Sequence, residues 1–174
     1  MIRDYLGKLP LVDPTAWVAP DAVVIGDVTL GADASIWYQT VVRGDVSHVR
    51  IGARTNVQDH TTIHVTRDAC PAVLHDDVTV GHRAVLHGCE IMGGALIGIG
   101  AIVLDKAVVE EGALVGAMSL VTPGMRVPAG QLVMGQPARV VRPVKDEERR
   151  WMVETISNYV ALAKEHARSG KHHS

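Results

Sequence analysis

The sequence predicts an all-β solenoid, a parallel β-helix of hexapeptide repeats with one C-terminal α-helix, and three observations carry that reading. Apolar residues recur every six positions, small residues cluster beside them, and the pattern changes to a helical period only after Pro143. Self-similarity at a short fixed period is the mark of a repeat fold. With 174 residues, 47% hydrophobic and 21% charged, the chain is long enough for one well-buried domain and is neither disordered nor collagen-like. The expected division is a β-helix over 1–143, a helix packed on it over 144–168, and a disordered tail over 169–174.

The ladder can be followed residue by residue. Val24, Leu30, Ile36 and Val42 keep the step of six, Ile51, Val57 and Ile63 resume it, and Leu74, Val80 and Leu86 take it up again. From Ile91 through Ile97, Val103, Val109, Val115, Val121 and Val127 to Val133 it is unbroken. A period of six fits no helical stripe, and the excess of β-branched residues argues for strand. Three steps make a triangular coil of about 18 residues, with strands stacked about 4.8 Å apart and one ladder residue per step pointing inward. Gly81, Gly98 and Gly116, each just after a ladder residue, are expected where a tight corner leaves no room for a side chain. Beyond Pro143, within Lys145 to Ala167, the residues Met152, Ile156, Tyr159, Val160 and Ala163 share one face of a helix that Asp146 is placed to cap. The last residues, Lys171 to Ser174 with His172 and His173, read as a frayed end and take no part in a site.

Composition excludes several function classes. A formal net charge of −2 supplies no basic field for nucleic acid or anionic lipid. The most apolar run, Ala95 to Leu104, is interrupted by Gly98 and Gly100 and is far shorter than the roughly 20 residues that span a bilayer. Cys70 and Cys89 stand in no metal-ligand spacing, and Met1 to Pro10 lacks an apolar signal core, which together point to a reduced, cytoplasmic setting.

Three histidines stand out against this regular frame. His64 and His87 each follow a ladder residue, Ile63 and Leu86, so they occupy the same place in the repeat. They lie 23 residues apart; if five of those bulge out as a loop around Arg67 to Ala72, the remaining 18 make one coil and the two imidazoles stack. His82 lies five residues before His87, an odd number, so along a strand the two side chains leave opposite faces. Zinc–nitrogen bonds of about 2.0 to 2.1 Å require ligand nitrogens within roughly 4 Å of each other, so His82 must serve a site completed by a neighbouring molecule. A triangular prism joined head to tail closes most simply as a homotrimer with three equivalent sites. Three imidazoles leave a fourth zinc position for water, whose pKa the ion lowers to about 7. Iron or cobalt suits the same donors. His48, His60 and His75 lack the matched register and are read as structural or solvent-facing.

The runs Val42-Arg43-Gly44-Asp45, Thr55-Asn56-Val57-Gln58-Asp59 and Val80-Gly81-His82-Arg83-Ala84-Val85-Leu86-His87-Gly88-Cys89 resemble the γ-class carbonic anhydrase family over roughly residues 8 to 165. The resemblance implies a left-handed β-helix and a homotrimer, with zinc held by His64 and His87 of one subunit and His82 of the next. It implies an ion pair between subunits for Arg43 and Asp45, a hydrogen bond from Gln58 to the metal-bound water, and a place for Asp59 at the same interface. Arg43 and Asp45 also read as an ordinary salt bridge at a coil edge, Asn56 as a residue bonding backbone at a corner, and Tyr159 as either a site residue or core packing. The best-studied type of the family carries glutamates for proton relay where Val46 and Arg67 stand here, so slow or absent turnover is expected. The lead expectation is a zinc-dependent carbonic anhydrase acting on CO2 and bicarbonate. The alternatives are an acyl-CoA thioesterase or acyltransferase-like enzyme and a noncatalytic metal-binding structural trimer.

Overall fold

The structure, a computed structural model, describes residues 1–67 and 69–169. It is a left-handed parallel β-helix of about seven coils with one C-terminal helix. Every ladder residue from Val24 to Val133 points into the prism, and none is more than 2% exposed. Successive coils stack in parallel register, Val24 on Val42, Ile36 on Val57, Ile63 on Leu86, Ile97 on Val115 and Val109 on Val127. The core is therefore a set of columns of like side chains, which suits β-branched residues packed on a pleated surface.

The prism has three faces. The first carries Trp17–Val18, Ser35–Ile36, Asn56–Val57, Thr79–Val80, Leu96–Ile97, Leu114–Val115 and Gln131–Gly135. The second carries Thr62–His64, Val85–His87, Ile102–Val103 and Leu120–Val121, and the third Ala72–Leu74, Glu90–Ile91, Val108–Val109 and Arg126–Val127. Two longer strands, Val23–Leu30 and Val41–Ile51, run around the corner between the second and third faces and join them into one sheet. At the far end Ala138–Pro143 turns back and pairs antiparallel with Gln131–Gly135.

The corners differ from the expectation that glycines after ladder residues make them. Left-handed backbone recurs three residues before the ladder position, at Asp33, Arg54, His60 and Arg83 with φ between 54° and 60°, and at glycines such as Gly94. Gly98 has no such φ; a Cβ on it would lie 2.5 Å from the backbone nitrogen of Ala117 on the next coil. The glycines after the ladder serve close approach of coil on coil, and the turning itself falls to residues that sequence period alone does not distinguish.

The C-terminal helix spans Asp146–Ser169 and lies along the first face. Its cap is not Asp146. Glu148 reaches back to accept the Lys145 N–H at 2.8 Å while taking both Arg142 nitrogens at 2.8 Å, the back-reaching half of a capping box. Met152 and Ile156 are buried, and Met152 joins Leu96, Leu114, Leu132 and Val144 in a second apolar cluster. Near the other end His166 Nδ1 lies 2.8 Å from the Tyr38 hydroxyl, in a nest of Trp17 and Trp37. No helix among the described residues is long and apolar enough to cross a membrane. The tail expected over 169–174 lies, apart from Ser169, outside the described residues.

Two outcomes follow. Ile97→Ala removes a fully buried column residue, and a loss of about 2–5 kcal/mol is expected in urea unfolding. The Arg142 guanidinium and the Lys145 N–H hold Glu148 down from the ordinary 4.5 to about 2. A carboxyl with a lowered folded-state pKa stabilises above its unfolded value and loses that contribution as pH falls through the folded one. Thermal scans should therefore place Glu148→Gln below the parent at pH 6 and level with it near pH 2; equal melting temperatures at pH 6 would refute the pair's role.

Candidate metal centre

The residue after each ladder position on the second face points outward, and three of these form a column. His64 and His87 are register partners on adjacent coils, and Arg43 follows Val42, the register partner of Ile63. The two imidazoles sit with ring centroids 5.1 Å apart, and His64 Nδ1 faces His87 Nε2 at 3.1 Å. The other nitrogen of each ring meets a carboxylate. His64 Nε2 is 3.0 Å from Asp45 Oδ1, and His87 Nδ1 makes a short hydrogen bond to Asp105. Thr66 Oγ1 donates to Asp105 at 2.7 Å, and Arg43 to Asp45.

These contacts decide which nitrogens carry hydrogen. Partial burial pushes both carboxyls up, but for Asp45 the hydrogen bonds from His64 and Arg43, and for Asp105 those from His87 and Thr66, outweigh it and hold each below the usual carboxylate range. Ionised carboxylates only accept, so in the neutral rings His64 Nε2 and His87 Nδ1 carry the hydrogens and the nitrogens that face each other carry lone pairs. Two lone pairs opposed at 3.1 Å repel unless a proton or a metal cation lies between them. Bonds of about 2.05 Å at a tetrahedral angle separate two ligand nitrogens by about 3.3 Å, so the pair fits two positions of a divalent ion, with carboxylates orienting the imidazoles from behind.

His82 lies at the corner after the first face, its Nδ1 2.7 Å from Asp59 Oδ2, which in the neutral ring leaves the lone pair on Nε2. Gln58 is 5% exposed and donates to Asn56 Oδ1 at 3.1 Å, while Asn56 donates to the Thr79 hydroxyl at 2.9 Å rather than to backbone. Gln58, His82 and Tyr159 line one end of a groove of about 600 Å³ between the helix and the first face. Tyr159 packs edge-on against Trp37, and burial together with nearby Asp59 pushes its phenol up, so it stays a donor at neutral pH. Among the described residues no three His, Cys, Asp or Glu side chains of one chain converge as a metal group. The structure thus joins His64, His87, Asp45 and Arg43 at one edge and His82, Asp59, Gln58 and Tyr159 at another. Arg43 and Asp45, for which the resemblance implies a pair between subunits, meet within one chain.

Sequence reading missed Asp105 and Thr66. Asp105 lies 18 residues after His87, the length of one coil, a spacing that could have exposed it. Thr66 sits in an insertion with no period to locate it. Cys89 is no candidate ligand, because full burial pushes its thiol up to about 12.

No family model matches the chain. It is 46% identical over 171 residues to gamma carbonic anhydrase 2, mitochondrial, of Arabidopsis thaliana, and 42% identical over 160 residues to a carbonic anhydrase of Geobacillus kaustophilus, covering 92% of this chain and 87% of that one. The chain belongs to the γ-class carbonic anhydrase family. The match to the Arabidopsis family member covers 95% of this chain and 62% of the longer relative. Among solved structures, a hexapeptide transferase family protein from Anaplasma phagocytophilum superposes with a TM-score of 0.91 at 42% identity, covering 94% of this chain and 96% of the other.

The carboxylates behind the imidazoles give a direct test. Asp105→Asn should weaken metal binding about 10- to 100-fold in a chelator competition titration, with the fold intact by circular dichroism. Unchanged affinity would show that Asp105 does not orient His87.

Proposed function

We propose that the chain is a zinc-dependent carbonic anhydrase that reversibly hydrates CO2 at a site assembled in a homotrimer, with His64 and His87 from one subunit and His82 of the partner subunit. The observation that carries the reading is that His64 Nδ1 and His87 Nε2 face each other at 3.1 Å, each ring backed by an ionised carboxylate. Membership in the γ-class family supports it. A divalent ion held by three imidazoles supplies acidification of a coordinated water and leaves a position open for it. The chain's own residues do the rest. Asp45 and Asp105 fix the ring tautomers, and Arg43 neutralises Asp45 so that the carboxylate stays on His64. Gln58, steered by Asn56, offers its carboxamide beside His82, and Tyr159 offers a phenolic hydrogen to an oxyanion. Asp59 orients His82. Iron or cobalt would bind the same three nitrogens.

The trimer reading draws support from the surface beside His82. Ile99, Met118, Met134 and Trp151 are 53%, 62%, 48% and 52% exposed, an apolar strip that suits a neighbouring subunit. A second reading, hydrolysis of an acyl thioester, is favoured by the same groove, whose floor of Leu96, Leu114 and Leu132 is apolar enough for an acyl chain. A noncatalytic structural trimer is the third.

Stopped-flow CO2 hydration on zinc-loaded protein separates them. Hydration should vanish in His82→Ala and in His64→Ala, yet return to about a quarter of the parent level when the two variants are unfolded together and reassembled, because that share of interfaces pairs intact His64 and His87 with an intact His82. No recovery on mixing would sink the shared site. Full metal loading without hydration would sink the anhydrase reading, and thioester cleavage in that sample would replace it.

A further inference from the structure

The departures from the six-residue step are not scattered. Val42 to Ile51 takes nine residues, Ile63 to Leu74 eleven and Leu86 to Ile91 five, and all three fall at the corner between the second and third faces, directly after the column Arg43, His64, His87. Every other step from Val24 to Val133 is six. Two of the three departures carry three and five residues beyond the period, chain that stacking does not require, and the third is one residue short.

That extra chain lines a cavity of about 340 Å³ open to solvent, bounded on its other side by the N-terminal segment. Asp45 lines it and also touches His64 Nε2, so one carboxylate is common to the cavity and a candidate ligand ring. The titratable and charged side chains facing the cavity are His48, Asp45, Asp27, Lys8, Arg67 and Tyr5. Asp45 is taken by Arg43 and His64, and Asp27 by Arg50 at 2.7 Å and Lys8 at 3.1 Å. A guanidinium keeps its proton, and an ammonium or a phenol gives one up only near about pH 10. Imidazole is the side chain whose ordinary exchange lies between about pH 5 and 8, which matches a water acidified to about pH 7.

We infer that His48 is the proton-transfer group of this site, passing to solvent through the cavity the proton released in each hydration. The inference rests on the CO2 hydration reading. The balance is CO2 plus water giving bicarbonate and a proton; the proton adds to a neutral ring nitrogen of His48, and the imidazolium then yields it to a buffer base, which restores the neutral ring. Only a buffer base is needed as co-reactant. Asp45 links the two, since it lines the cavity that His48 lines and touches His64 Nε2 at 3.0 Å.

The test compares zinc-loaded parent, His48→Ala and the size-matched His48→Gln, with zinc content and melting temperature measured on each. In dilute buffer kcat should fall about 100-fold in both variants, the usual weight of one proton-transfer group, while kcat/KM, which does not include proton export, stays within about two-fold. Added imidazole should restore kcat in His48→Ala. NMR titration of the His48 ring in metal-free protein between about pH 5 and 8 gives a readout independent of activity. Unchanged kcat, a parallel fall in kcat and kcat/KM without rescue, or a ring that does not titrate in that range would each overturn the inference. A parent that carries zinc and does not hydrate CO2 would remove the functional reading itself, and this inference with it, a failure visible without any variant.

Discussion

The column of β-branched side chains down the axis of the prism is the constraint from which the rest of the molecule follows. Because each ladder residue from Val24 to Val133 is locked inside and stacked on its equivalent one coil away, the residues beside it have no freedom to change face. His64 and His87 stand together for no reason other than that Ile63 and Leu86 do. The scaffold thus does for this site what a network of hydrogen bonds does in a loop-built one, fixing Cα positions before any side chain contact is made.

What the frame leaves open, carboxylates settle. A neutral imidazole can present either nitrogen, and a strand fixes the ring's attachment but not its tautomer. Asp45 and Asp105, both kept ionised by the groups around them, hold the hydrogens on the outer nitrogens and turn the inner ones toward each other. Asp59 stands in the same relation to His82 at the opposite edge. The repetition of one carboxylate per imidazole argues that ring orientation, and not merely the presence of histidine, is what the site is built to control.

Insertions divide stability from function in this fold. Fourteen of the seventeen steps from Val24 to Val133 keep six residues, yet the three breaks all fall beside the histidine column and bring Thr66 to Asp105 and His48 to the cavity that Asp45 shares. The cap at the helix start follows a different logic. Glu148 satisfies the Lys145 N–H and anchors Arg142 of the returning strand together, so one carboxylate joins helix to solenoid.

The sequence by itself determined the solenoid, its ladder, the C-terminal helix and the matched places of His64 and His87, because a period of six is a property of the chain and each ladder residue reports its own burial. It also made plain that His82 leaves the coil elsewhere. It did not reveal which residues turn the corners, since left-handed backbone falls on Arg54 and His60 as readily as on Gly94 once neighbouring coils impose it. Thr66 and Glu148 were equally hidden as partners, and Asp105 showed only as a residue one coil from His87. Their roles depend on which side chains meet across coils and insertions of unequal length, and that meeting exists only after the chain has closed on itself.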